Sequence, residues 1–312
     1  MTATQAGEKA RAAAKVDSGS GFGRLDYALY AAVILFWGTS WIGIRYQLGV
    51  VPPSVSVAYR FIIAALIMFA WVIVSRRQLR FPLAQHGIFL VMGLFLFSTN
   101  FALFYYAGQY LVTGLLALIF STAVLMNMIN SMIFLGEPAR PRVILAGLLG
   151  FCGLATIFWP QIAARGFDAG TAIGLVLGLG GALSFSLGNM VSASQQRRGV
   201  PMVSSTAWGM AYGSLLLVLY ALLAGEAFTF DLRPSYVFSL VWLAIFASVI
   251  AFATYLTLLR RIGPARAGYV TVVFPLLALL ISTFVEGYQW TVPAIAGLAM
   301  VLAGNVVVMR RH

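Results

Sequence analysis

This chain contains nine long stretches without a charged side chain, apart from Arg60 within the second stretch. A helix needs about 20 apolar residues to cross the hydrocarbon core of a bilayer. Eight stretches fit one crossing each, and the longest, 87–136, fits two with a turn near residues 108–110. The pattern predicts an all-α integral membrane protein of ten transmembrane helices, from the stretches 27–44, 55–75, 87–136, 143–164, 169–196, 199–225, 234–259, 267–285 and 287–309.

Composition excludes the soluble classes. Hydrophobic residues make up 61% of the 312 residues and charged residues 9%, whereas soluble domains are about half apolar and about a quarter charged. The net charge of +12 does not indicate a nucleic-acid partner, because the Lys and Arg residues stand in short clusters between apolar stretches, as in membrane loops. We expect the lipid bilayer as a partner and no nucleic acid. The single Cys152 can form no internal disulfide.

The placement of basic residues predicts the orientation. With the N-terminus inside, sixteen of the 20 Lys and Arg residues fall in inside segments, and only Arg45, Arg165 and Arg233 fall in outside loops. Both termini are therefore expected in the cytoplasm. Residues 1–24 lack the apolar core of a signal peptide, and we expect them to form a disordered cytoplasmic tail.

The second half of the chain repeats features of the first at a displacement of 149 positions. Because each half has five helices, an odd number, the two copies are predicted to have opposite orientations in the membrane, as repeat 25–165 and repeat 166–312. Inverted repeats are typical of secondary transporters, which expose a central site to each side in turn. The matches are Tyr106, Gly114, Thr122, Val124 and Glu137 with Tyr255, Gly263, Thr271, Val273 and Glu286.

Three short motifs, together with the duplication, give a family resemblance: Phe36-Trp37-Gly38-Thr39-Ser40, Ala58-Tyr59-Arg60-Phe61 and Leu135-Gly136-Glu137. The chain resembles the EamA branch of the drug/metabolite transporter superfamily, and within it the YddG-type exporters of amino acids. The resemblance implies a bacterial inner-membrane exporter that works by alternating access. It also implies a central cavity surrounded by helices 1–4 and 6–9, with helices 5 and 10 outside.

Polar and aromatic residues near the midpoints of the central helices are the candidates to line that cavity, because polar side chains avoid lipid. Amides, hydroxyls and rings suit a solute with a polar head and an apolar body, and we expect an aromatic or large apolar amino acid. The alternative for each Ser or Thr is a hydrogen bond that holds helices together. The candidates are Trp37, Ser40, Trp41, Arg60, Asn100, Ser121, Asn127, Ser184, Asn189, Trp208, Tyr212, Tyr255, Tyr269 and Thr271.

Arg60 and Pro275 allow two interpretations each. Arg60 lies about 9 Å from the outer end of helix 2, so it either snorkels or pairs structurally, or it contacts a substrate carboxylate. Pro275 should kink helix 9, either as a hinge or as a fixed bend. The glycines of helices 6 and 7 are interpreted as packing residues, namely Gly174, Gly178, Gly181, Gly209 and Gly213.

The ionisable residues limit the mechanism. None of the eight Asp and Glu residues lies in the middle of a span, so we expect downhill export without a carboxylate proton relay. His86 and His312 are expected to be solvated. The spans contain no metal cluster, Ser/His pair or paired carboxylates, and we expect no enzyme, metal or cofactor. An exporter of another metabolite or drug-like solute, or a membrane scaffold or receptor subunit, remains the alternative, and monomer or homodimer stays open.

Overall fold

The computed structural model describes residues 23–136, 141–165, 168–268 and 270–309, and the regular elements within these ranges are ten helices. Two of them, α3 and α8, contain a π-helical segment, and α4 is interrupted at one residue. The helices are α1 Arg24–Gln47, α2 Pro53–Val74, α3 Leu83–Ala107, α4 Thr113–Leu135, α5 Pro141–Arg165, α6 Ala169–Arg197, α7 Met202–Leu223, α8 234–268, α9 Val270–Val285 and α10 Val292–Met309.

The number of helices confirms the prediction. Seven of the helices are long and apolar enough to cross a membrane, and three shorter apolar stretches lie in α5, α9 and α10. The predicted turn near residues 108–110 separates α3 from α4. One connection was predicted wrongly: α8 continues to Gly268 through the expected loop between Leu259 and Ala267. A charge-free stretch marks only the apolar part of a helix, and the helix itself continues beyond it.

The helices α5 and α10 pack mainly against each other, outside the other eight. Their backbones touch at Gly153 and Gly297, where a Cβ on either residue would lie within 2.7 Å of the other's carbonyl oxygen. Such small-residue contacts are a common way to join membrane helices. The expectation that helices 5 and 10 lie outside the central group is confirmed.

The remaining contacts follow an internal twofold pattern. The helix α2 packs on its repeat partner α7, and α4 packs on its partner α9. The helix α1 packs on α8 and α9, and α6 packs correspondingly on α3 and α4.

The π-helical segments obey the same symmetry. The segment in α3 is Gly93–Thr99, and a displacement of 149 places it on 242–248, within the segment Trp242–Ile250 of α8. The two halves therefore share an irregularity of the backbone as well as the order of their helices.

Hydrogen bonds and ion pairs define two ends of the bundle. At the arginine-rich end, the start of α1 meets the end of α8 through Asp26 and Arg261, whose atoms Oδ1 and Nε are 2.5 Å apart. At the Glu286 end, Gln47 at the end of α1 donates to the Tyr236 carbonyl at the start of α8, at 2.9 Å. The arginine-rich end also carries Arg24, Arg76, Arg77 and Arg198, and the Glu286 end carries Arg45 and Arg233.

Candidate functional site

Seven aromatic rings meet inside the bundle, and they come from six of the eight central helices, α1, α3, α4, α6, α8 and α9. Phe120 lies at the centre, with its ring centroid 4.7 to 6.1 Å from those of four other rings. Trp37 joins Tyr255 at 5.1 Å and Phe274 at 6.1 Å. We call this set the aromatic cluster: Trp37, Trp41, Phe104, Phe120, Phe185, Tyr255 and Phe274.

A glycine on α6 makes room for one of these rings. A Cβ on Gly181 would lie 2.7 Å from Cε2 of Phe104, closer than carbon atoms approach without displacement. Leu111 and Ile119 similarly occupy the space next to Gly174 and Gly178. The interpretation of the glycines in α6 as packing residues is confirmed.

The glycines of α7 also serve packing. Gly209 lies against Met92 and Phe97 of α3, and Gly213 lies against Phe97 and the carbonyl oxygen of Gly93. The packing interpretation is therefore confirmed for α7 as well.

Three of the predicted candidates, Trp37, Trp41 and Tyr255, belong to the aromatic cluster, and the four phenylalanines were missed. The chain has 23 Phe residues, and most bilayer-facing positions accept Phe, so residue type alone carries no signal. The position of Phe120 could have indicated it, because Phe120 directly precedes the candidate Ser121 near the middle of α4.

Two amide side chains connect α4 and α6 beside the cluster. Asn189 donates to the side-chain oxygen of Asn127 at 3.2 Å, and both residues are partly exposed. In a second contact between these helices, the buried Asn130 donates to the buried Ser186 hydroxyl at 2.8 Å. The first pair is accessible to a solute, whereas the second is enclosed by protein.

The candidate hydroxyls mostly donate to backbone carbonyls. Ser40 donates to Trp37 at 2.7 Å, Ser121 to Leu118 at 2.6 Å, and Ser184 to Phe95 of the neighbouring α3 at 2.8 Å. Only the Ser184 bond joins two helices. These donors are already used within the protein, which supports the structural alternative for their hydrogens and leaves their oxygens as acceptors.

Asn100 is buried, with 1% of its surface exposed. Its amide nitrogen donates to the Leu96 carbonyl at 3.3 Å, and its side-chain oxygen has no hydrogen-bond partner among the described residues. A buried amide with a free oxygen is unfavourable unless water or a ligand supplies a donor. Asn100 therefore stays a candidate on structural grounds.

Trp208 and Tyr212 lie elsewhere, at the arginine-rich end. Their partner is His86, whose ring centroid is 4.5 Å from that of Trp208 and whose Nδ1 lies 3.0 Å from the Tyr212 hydroxyl. Trp208 also donates to the Leu79 carbonyl at 3.1 Å. The expectation that His86 is merely solvated was wrong, because its ring packs against the rings of Trp208 and Tyr212 of α7.

The candidates around α9 are described in part. Tyr269 lies outside the described residues, and Thr271 is partly buried near the start of α9. Pro275 is buried, and α9 runs through it as one helix. In α4, the equivalent helix of the first repeat, the regular helix is interrupted at Thr122, whose hydroxyl donates to the Ile119 carbonyl at 2.6 Å. Such bonds to the preceding turn bend helices.

Arg60 does not snorkel to the head groups. Only 3% of its surface is exposed, and its Nε donates to the Ser248 hydroxyl of α8 at 3.1 Å. Its guanidinium carbon lies 4.5 Å from the centroid of Phe101 and 5.4 Å from that of Phe61. The snorkelling interpretation is wrong, because the side chain points between α3 and α8.

The bundle is closed near the Glu286 end and open towards the arginine-rich end. In α4, residues 113–119 are all buried, whereas every residue of 124–128 is partly exposed, as is every residue of 189–194 in α6 and of 252–257 in α8. Consecutive residues of a helix point in all directions, so an unbroken partly exposed run leaves the inward side of the helix unpacked as well. From these three runs we infer a hollow below the aromatic cluster, although on α6 the residues Met190, Val191 and Ser194 of the run also face the apolar groove between α3, α4 and α6.

The closed end is held by Glu286. Its Oε2 accepts from the backbone N–H of Thr113 at 2.9 Å, from the Thr113 hydroxyl at 2.7 Å and from the Ser282 hydroxyl at 2.6 Å. Arg45 approaches the other carboxylate oxygen at 3.9 Å. The carboxylate thus joins α1, α4 and α9.

A second ion pair lies in the α7–α8 connection at the same end. Arg233 donates to Asp231 at 2.7 Å, and this hydrogen bond lowers the pKa of the Asp231 carboxyl. The pair therefore stays charged at neutral pH, as expected for side chains at an end of the bundle that contacts water.

A groove of about 740 Å³ lies at the arginine-rich end, between α3, α4 and α6. Its walls are largely apolar, and none of the candidate site residues lines it. On α6 its lining includes Leu187, Met190 and Ser194, which point away from the Phe185 side of the helix that carries the aromatic cluster. The groove is therefore separate from the cluster.

The model of the EamA-like transporter family matches this chain twice, over residues 26–159 and 172–310. The chain belongs to the EamA-like transporter family. The two matches correspond to the two halves described above, so the family unit is the five-helix repeat. The protein is accordingly a membrane transporter, and the finer boundary at residues 165 and 166 stays a prediction.

Relatives of this EamA-family chain are similar over most of their length. Protein PagO of Salmonella typhimurium strain LT2 is 25% identical over 293 residues, which cover 89% of this chain and 92% of PagO. The uncharacterized inner membrane transporter YedA of Escherichia coli K12 is 26% identical over 281 residues, covering 88% and 89%. The uncharacterized transporter YvbV of Bacillus subtilis strain 168 is 25% identical over 276 residues, covering 88% of each chain.

A solved crystal structure supports the same fold for the EamA-family chain. It superposes with a TM-score of 0.64 at 20% sequence identity and covers 90% of this chain and 95% of the other. At this identity the likeness concerns the fold alone.

Proposed function

We propose that this transporter exports amino acids with aromatic or large apolar side chains from the cytoplasm by alternating access. The observation that carries the proposal is the aromatic cluster, to which six of the eight central helices contribute. A substrate ring that stacks among these rings would contact both halves of the protein at once. Movement of one half against the other would then change the site without dismantling it.

The polar groups beside the cluster suit the other part of such a solute. The amides of Asn127 and Asn189 are partly exposed at the border of the hollow, and amides can donate to a carboxylate and accept from an ammonium group. A purely apolar solute would leave these groups unpaired, which is unfavourable. The combination of rings and amides therefore favours an amphiphilic solute over a hydrocarbon-like one.

The structure also suggests which state it represents. With the arginine-rich end in the cytoplasm, as the excess of basic residues predicts, the hollow opens inward and the Glu286 bonds seal the outer side. An exporter in this state is ready to take its substrate from the cytoplasm. Opening of the outer side would require the contacts between α4 and α9 to separate.

Counterflow in proteoliposomes tests the proposal. Vesicles loaded with unlabelled tryptophan should accumulate labelled tryptophan and phenylalanine well above protein-free vesicles, and labelled glycine and aspartate much less. Trp37→Ala should abolish most of the uptake, whereas Trp208→Ala, outside the aromatic cluster, should retain the same order of substrates. Uptake of none of the amino acids by the wild-type protein would overturn the proposal.

A further inference from the structure

Arg60 is a buried cation that lacks an anionic partner among the described residues. Its Nε is bonded to Ser248, but its Nη1 has no hydrogen-bond partner in the part of the chain that the structure describes. Each described acid is engaged elsewhere with the partner given: Asp26 with Arg261, Asp168 with Thr171, Glu226 with Tyr106, Asp231 with Arg233, and Glu286 with Thr113. A charge removed from water without a counterion is strongly unfavourable.

Two phenylalanine rings offset only part of this cost. The guanidinium lies over Phe101 and Phe61, and aromatic faces attract a cation. Ring faces, however, accept poorly from the N–H groups, which point outward in the guanidinium plane. The two rings therefore stabilise the positive charge of Arg60, but they leave its Nη1 donor without a hydrogen-bond acceptor.

A second free donor lies beside the first. The Tyr105 side chain is fully buried, and its hydroxyl interacts with the Arg60 guanidinium. The two groups do not complete a hydrogen bond with each other, and the Tyr105 O–H has no acceptor among the described residues. The Ser248 hydroxyl is occupied, because it donates to the Leu243 carbonyl at 2.8 Å and accepts from Arg60. The two unpaired groups are thus an N–H on α2 and an O–H on α3, and both can donate to one anion.

The position of these donors links them to the aromatic cluster. Tyr105 directly follows Phe104, a member of the cluster, and Ser248 lies in the π-helical segment of α8. Segments of this kind inside α-helices frequently occur at functional sites. A movement of α3 against α8 would open the space between Arg60 and a molecule held by the rings.

We propose that Arg60, with Tyr105, binds the carboxylate of the transported amino acid. This inference rests on the proposed function and adds the substrate's charged group to it. A carboxylate matches a guanidinium, because its two oxygens accept two N–H donors at once. Nη1 is buried in the present inward-open state, so the carboxylate reaches Arg60 as the helices rearrange towards the outer side.

The experiment compares tryptophan with tryptophanamide, which keeps the ring and the amine but lacks the carboxylate. Each is added unlabelled to compete with labelled tryptophan in counterflow. For the wild-type protein, half-inhibition should need about tenfold more amide than acid, as expected for one charge-assisted hydrogen-bond pair. In Arg60→Gln the difference should shrink to about twofold or less, while Arg60→Lys should keep part of it.

If a variant does not transport, binding can be measured instead. Stabilisation of the purified protein against heat by each compound should show the same ratios without any transport. Arg77→Gln is the matched control, because Arg77 is an exposed arginine in the connection after α2, and it should keep the wild-type ratio.

The outcomes separate this inference from the function itself. If the wild-type protein responds to no amino acid, the proposed function fails. If it responds equally to acid and amide, or if Arg60→Gln keeps the wild-type ratio, the function stands and the carboxylate site is wrong.

Discussion

Glu286 accepts hydrogen bonds from both the backbone N–H and the hydroxyl of Thr113, at 2.9 and 2.7 Å. Thr113 is the first residue of α4, where backbone N–H groups lack partners within the helix. The carboxylate of one repeat thereby satisfies the helix start of the other. The contact is the clearest candidate for a latch that keeps the Glu286 end closed.

Removing the latch should expose the half of α4 that lies at the Glu286 end. Hydrogen bonds to a charged group contribute about 1.5–3 kcal/mol each, so Glu286→Ala should raise the open population roughly tenfold or more. A cysteine in place of the fully buried Leu116, in a Cys152→Ser background, should react correspondingly faster with a maleimide. Gln289→Ala, which removes only an exposed bond to Gly287, is the control, and equal rates in both variants would contradict the latch.

The contact between α3 and α7 should depend on Gly93. A Cβ there would lie 2.7 Å from the Gly209 oxygen and 2.8 Å from the Gly213 nitrogen, and neither backbone can yield easily. Gly93→Ala should lower the free energy of unfolding by about 1–3 kcal/mol. Gly180→Ala would meet only Leu103 at 3.4 Å and should change it little. Thermal unfolding in detergent compares the two, and equal midpoints would contradict the packing described.

The two amide contacts between α4 and α6 should separate function from stability. Asn189→Leu removes a partly exposed amide at the hollow and should raise the tryptophan concentration for half-maximal counterflow about five- to tenfold, because about 1 kcal/mol of hydrogen bonding is lost. Asn130→Leu leaves the buried Ser186 without its donor and should mainly lower the unfolding temperature. The reverse pattern would show that Asn189 is structural.

Export is predicted to run downhill without a proton relay through buried acids. The five described Asp and Glu side chains lie at helix ends or in connections, so none is placed to carry a proton across the middle of the bundle. Tryptophan uptake into proteoliposomes should therefore have the same initial rate with and without a pH gradient. A strict requirement for the gradient would contradict this mechanism.

The sequence predicted the helices well because length and apolar composition alone decide whether a segment can cross a bilayer. It predicted the repeat for a similar reason: residues such as Glu286 stand at fixed places relative to helix ends. The π-helical segments, Gly93–Thr99 and Trp242–Ile250, have no residue pattern in the sequence that predicts them. They depend on how neighbouring helices pack, which no single stretch of sequence records.

The candidate site was predicted only in part, because depth along a helix does not fix the face on which a residue lies. Arg60 was close enough to the surface to snorkel, but its helix turns it towards Ser248 and Phe101. Trp208 was placed near a midpoint by counting from residue 199, yet α7 begins at Met202. Trp208 consequently lies within two turns of the arginine-rich end.

Tryptophan counterflow by Phe120→Ala tests the central claim most directly, since Phe120 contacts four other rings of the aromatic cluster. Loss of a buried ring contact is worth about 1.5–3 kcal/mol, so the tryptophan concentration for half-maximal counterflow should rise roughly tenfold or more. Phe89→Ala removes a fully buried ring outside the cluster and should leave that concentration unchanged. An unaltered concentration in Phe120→Ala would contradict the account.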